Sequence, residues 1–160
     1  MLAFRRAVEA RELERVGELL TEDVVLHSPI AYRPYRGRQM VANIINLVAS
    51  ILEDFTFQRE IGAESDDDHA LVFGARIGDL SIQGCDFVHT DAEGLINEFT
   101  VMLRPLRAVH AFEERMRAKF AAAMAATSNK PGHQRESLQV QCPRPRVQPV
   151  RILQGGPGFR

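Results

Sequence analysis

"GCDFVHTDAEGLINEFTVMLRP", residues 84–105, decides how the chain is read. Two runs rich in β-branched and aromatic residues flank "DAEG", and Asp and Gly in such a gap signal a turn. Pro105 closes the second run, because proline cannot extend a ladder. Alternation by two puts Ile82, Gly84, Asp86 and Val88 on one face of the first strand. One carboxylate, Asp86, therefore shares a face with apolar neighbours.

Upstream, His69–Ile77 and Leu80–Thr90 are separated only by Gly78–Asp79, the length of a tight hairpin. With Phe55–Ala63 and Leu95–Leu103 they predict four successive strands in an antiparallel meander. The helical period holds elsewhere. Residues 2–20 carry apolar positions at helical spacing, with a break near Ala10–Glu12 that predicts two helices. Gln39–Leu52 has a stripe at Met40, Ile44, Leu47, Val48 and Ile51, and residues 106–125 carry another from Leu106 to Met124. Between them, "DVVLH" is a strand ended by Pro29, and "IAYRPYRGR" is a loop. The expected fold class is α+β, with helices packed on one face of a curved antiparallel sheet.

A domain at 1–125 and a tail at 126–160 are expected. Residues 127–160 hold five of the eight prolines and a charge balance of +5, against −6 for residues 1–126. A segment so poor in large apolar residues cannot offset its ordering entropy, and disorder is the reading. The overall charge of −1 gives no reason to expect nucleic acid or membrane as partner. The N-terminal "MLAFRRAVEARELERV" lacks the apolar core of a signal peptide. Two cysteines, Cys85 and Cys142, make neither a disulfide framework nor a zinc motif. A reducing, cytoplasmic setting follows, with no metal and no cofactor expected.

The strings "FRRAVEARELERVGELLTEDVVLHSP", "PYRGRQMV" and "DAEGLINEFTVMLRP", in that order, resemble the SnoaL-like proteins of the nuclear transport factor 2-like superfamily. The resemblance spans residues 3–120. It implies a cone: a curved sheet wrapped on helices, with an apolar pocket open at one end. It also implies dimers through the sheet face, so a homodimer is expected. Members range from isomerases, cyclases and hydrolases to non-catalytic dimerisation domains.

Measured against the steroid isomerases of that superfamily, the chain retains one functional part of three. The oxyanion-site carboxyl falls on Asp86, the base on Ser28 and the tyrosine on Phe4. Serine without an activator is no base, and phenylalanine has no donor. The epoxide hydrolase pattern meets apolar Val101 where it needs a carboxylate, and Arg76 has no matching acid pair. Cyclase members use a carboxylate with a histidine, which makes Asp86 with His27 the candidate catalytic pair. Tyr32 and Tyr35 come from a loop that would roof the pocket. Phe99, Val101 and Leu103 would line it from the last strand, with Ile82, Gly84 and Val88 beside Asp86. The expected ligand is a hydrophobic small molecule.

Overall fold

A computed structural model describes residues 3–63 and 65–128, with side-chain burial given as far as residue 122. Helix α1 (Ala3–Glu9) leads through a 3-10 helix (Leu13–Leu19) into β1 (Leu20–His27). A two-residue strand β2 (Tyr35–Arg36) precedes helix α2 (Arg38–Ala49). Then come β3 (Glu53–Ile61), β4 (Asp68–Ile77), β5 (Leu80–Thr90), β6 (Ile96–Arg104) and helix α3 (Leu106–Ser128). The six strands form one curved sheet in the order β2-β1-β6-β5-β4-β3. The fold is α+β, as the residue pattern predicts.

The β3–β6 meander follows from local chemistry. Burial alternates along β4, with His69, Leu71, Phe73, Ala75 and Ile77 inward, and β5 answers with Ile82, Gly84, Asp86, Val88 and Thr90. The β5–β6 turn is an Asx turn. Asp91 Oδ1 accepts from the backbone N–H of Glu93 at 3.0 Å and of Leu95 at 2.8 Å, and Gly94 supplies the positive φ of 77°.

Several elements depart from the sequence reading. Helical spacing runs on to residue 20, yet Leu13–Leu19 is 3-10 and the strand already begins at Leu20. Leu20 pairs in parallel with Ile96 and is fully buried, and that non-local pairing overrides the local period. Val25, Leu26 and His27 continue the parallel pairing against Glu98, Phe99 and Thr100, so the sheet is mixed rather than wholly antiparallel. The loop after β1 contains β2, whose Tyr35 and Arg36 pair with Leu26 and Val25. The boundary expected after residue 125 falls inside α3, and residues 129–160 of the proposed tail lie outside the described residues.

The core lies between the concave face and the helices. Leu20, Val24 and Leu26 of β1 meet Val41 and Ile44 of α2, while Ala108, Phe112 and Met116 bring in α3. Phe99, Leu20, Leu71 and Ile96 are among the largest fully buried side chains. At about 1.5–3 kcal/mol for each such group, burial on this one face is the dominant stabilising contribution.

Candidate functional site

The concave face does not fill completely. A cavity of about 100 Å³ remains among α1, α2, β3 and the inner faces of β4–β6. Helix α2 lines it with Ile44, Ile45 and Val48, and α3 with Phe112 and Met116. Strand β6 contributes Phe99, Val101 and Leu103. Phe55, Phe57 and Phe73 form an aromatic wall, with ring centroids 4.9 and 5.0 Å apart along the series Phe57–Phe55–Phe73. On another side Phe4 meets Phe99 edge-on at 5.2 Å. Such offset and edge contacts are the arrangements that the ring quadrupole favours.

Helix α1 is held over this wall by Arg5. Its guanidinium lies 5.7 Å from the Phe57 ring centroid and 3.1 Å from Glu60 Oε2, with a second ion pair to Glu9 at 2.8 Å. Gly84 is needed where it stands. A Cβ there would lie 2.6 Å from Cε1 of Phe73 and 2.8 Å from Cδ2 of Leu103. Only glycine lets the Phe73 ring lie flat across β5 and into the aromatic series.

Among the described residues Asp86 is the sole carboxyl in the lining. It sits mid-strand between Leu71 and Val101 and is only 7 % exposed. Burial pushes its carboxyl up to about 8, with no hydrogen-bond partner or charge among the described residues offsetting the effect. At neutral pH the group is a neutral acid that can donate one hydrogen bond. The other polar contributors to the wall are hydroxyls. Ser28 Oγ accepts a long bond from the N–H of Ile30 at 3.4 Å, which leaves its own proton unspent, and Tyr35 is half-buried.

The remaining sequence-derived positions fall as follows. Phe4, Ser28, Tyr35, Phe99, Val101 and Leu103 line the cavity with Asp86. His27 does not. Val24 and Leu26 point inward, so alternation turns His27 outward, where it is exposed. The Asp86–His27 pairing is therefore corrected: the two side chains lie on opposite faces of the sheet. Tyr32 is also corrected, being fully exposed at 103 %. Ile82 and Val88 share the inner face with Asp86 but are packed into the core instead of bordering the void. Arg76 does find two acids, Asp54 at 2.8 Å and Glu53 at 3.7 Å, but on the exposed end of β3 and away from the cavity. The sequence reading missed the wall from Phe55, Phe57, Phe73 and α2, although the inward alternation of β3 and the stripe of α2 carry that signal. Among the described residues no group of three His, Cys, Asp or Glu is placed to hold a metal ion.

A curved mixed sheet closed over helices, with an apolar cavity at its concave face, is the architecture of nuclear transport factor 2-like proteins. Residues 1–99 match the SnoaL-like domain, and the chain belongs to that family. Similar structures include a Pseudomonas aeruginosa protein described as a steroid delta-isomerase, at 31 % identity and a TM-score of 0.68, covering 78 % of this chain and 97 % of that one. A Silicibacter pomeroyi protein with a cystatin-like fold matches at 28 % identity and a TM-score of 0.71, covering 78 % and 87 %. An epoxide hydrolase/cyclase-like enzyme of pyran ring formation in the polyether salinomycin shares the fold at 14 % identity and a TM-score of 0.53, covering 66 % and 87 %. No curated protein matches the chain.

Proposed function

We propose that this SnoaL-like domain binds a hydrophobic small molecule in the cavity, with Asp86 as its polar anchor. The observation that carries the reading is a lone, unpartnered carboxyl in an otherwise apolar and aromatic wall. Such a group costs stability and packs no better than a leucine would, so its place is best accounted for by a ligand. The Pseudomonas aeruginosa relative, by its description, acts on a small molecule and supports the same class of use. The isomerase route itself lacks its parts, since Phe4 and Ser28 supply neither donor tyrosine nor base. Any catalysis in this reading rests on Asp86 alone, as acid or as hydrogen-bond donor, without a cofactor.

The test is twofold. Mass spectrometry of the natively purified chain is expected to show a co-purifying apolar ligand. With acetophenone as a probe, Asp86→Leu is expected to weaken binding at least roughly tenfold at neutral pH, the worth of one buried hydrogen bond. Equal affinity in the variant would remove Asp86 from the site.

A homodimer belongs to the same proposal. Phe87 and Met102 are about half exposed, at 47 % and 57 %, on the outer face of adjacent strands, beside Val72 and Cys85. Exposed apolar surface of this kind marks interaction sites. Met102→Glu is expected to raise the dimer dissociation constant at least roughly tenfold in sedimentation experiments. A wild type that sediments as a monomer at high concentration would sink this part. No described helix is long and apolar enough to cross a membrane. A cytoplasmic setting completes the reading, with Cys85 as a free thiol.

A further inference from the structure

The cavity combines two features that point to one ligand chemistry. The first is its charge. Among the described residues Asp86 is the one acid in the lining, and no Lys, Arg or His borders the void. Apart from Asp86, only the hydroxyls of Ser28 and Tyr35 bring side-chain polarity to the wall. An anionic ligand would enter with no cation to meet it, and desolvating it would go uncompensated. The second feature is the wall itself. Six of the chain's nine phenylalanines line the cavity: Phe4, Phe55, Phe57, Phe73, Phe99 and Phe112. Aromatic faces carry negative quadrupole density and attract cations, the more so once water is excluded. One carboxyl among aromatic faces is the complement of an ammonium group on an apolar body.

We infer that the cavity takes a lipophilic amine, whose protonated nitrogen pairs with the Asp86 carboxylate while its apolar body lies against the phenylalanine wall. This rests on the cavity being a small-molecule site and names the class of its ligand. Proton bookkeeping is explicit. The empty site holds Asp86 protonated at neutral pH, and the amine arrives as R–NH3⁺. Forming the pair therefore expels the carboxyl proton to solvent, one proton per ligand bound. Affinity for the amine must rise with pH, by up to roughly tenfold per unit, until the carboxyl of the empty site is itself ionised. Among the described residues, Tyr35 is the one other ionisable side chain in the lining. A neutral ligand that accepts a hydrogen bond from the protonated acid exchanges no proton on binding, so its affinity is level over that range and falls only once the carboxyl of the empty site ionises.

The test compares three single-ring probes, matched to the size of the cavity, by calorimetry of the full chain. They are benzylamine, its uncharged isostere ethylbenzene, and the acceptor acetophenone. Between about pH 6 and about pH 8 the amine is expected to gain affinity roughly tenfold per unit, with about one proton released per ligand, measured from buffers of differing ionisation enthalpy. Near the upper end it should bind at least roughly tenfold tighter than ethylbenzene. Asp86→Asn is expected to remove that advantage and the proton release, while costing acetophenone less than roughly fivefold because the amide still donates. If acetophenone binds but the amine is no tighter than ethylbenzene at any pH, the amine assignment is overturned and the small-molecule site stands. If none of the three binds, the site itself is wrong.

Discussion

Asp86→Asn is expected to remove the part of the fall in stability that Asp86 imposes as pH rises from 4 to 8. Folded Asp86 keeps its proton up to about 8, because burial penalises the charged form, while the unfolded chain releases it near the ordinary aspartate value of 3.8. Between those values the folded state holds one more proton than the unfolded state. Stability from this group is therefore fully present below the lower value and is lost as pH rises through the window, levelling off above about 8. The loss amounts to about 1.4 kcal/mol per pH unit. The variant has no proton to lose, so its advantage over wild type should widen by about 4 kcal/mol between pH 5 and pH 8. Urea unfolding of both proteins at each pH reads the difference directly. His89 also titrates, its pKa raised by the hydrogen bond it donates to Asp68, and its contribution to stability is lost as pH rises. That loss occurs in both proteins and cancels. Parallel profiles would show that Asp86 is ionised or partnered in the fold, and the neutral donor at the centre of the site would be lost with them.

What the sequence disclosed about this fold was what its local chemistry encodes. Strand β5 is readable to the residue, because period-two burial and two turns with Gly and Asp bracket it. Helices α2 and α3 are readable from their stripes. The parallel pairing of β1 with β6 leaves no local mark. Its partners are some seventy residues apart, and a helical period through Leu19 and Leu20 conceals where β1 begins. The same distinction governs the site. Asp86 stands out because a carboxyl in an apolar strand violates its own pattern. His27 was misassigned although the information was present: once Leu26 faces inward, its neighbour must face out. Glu53 and Asp54 looked like loop because β3 was started two residues late, so the acids around Arg76 went unseen. Which end of each helical stripe borders the cavity depends on how the sheet curves, and that is a property of all six strands together.

Phe99→Ala is expected to cost about 3–5 kcal/mol, more than any substitution at the cavity rim. Phe99 is 2 % exposed and pairs across the sheet with Val88 of β5 and Leu26 of β1, so it sits where the parallel and antiparallel halves join. Its ring packs edge-on against Phe4, which fastens α1 to the sheet. Truncation removes the transfer free energy of the ring and also about 0.5–1.5 kcal/mol from the aromatic pair. It further enlarges a void that already exists, and neighbours backed by β-strands on either side cannot collapse into it. Phe57 gives the contrast. It is only half-buried, on β3 at the edge of the sheet, where the part-buried Arg5 side chain covers it. Phe57→Ala should cost no more than about half as much. Equilibrium unfolding of the two variants decides whether the cavity is built on the β1–β6 junction. Equal costs, or a loss below about 2 kcal/mol at Phe99, would mean that the junction relaxes around the missing ring and that the void is not held open by the fold.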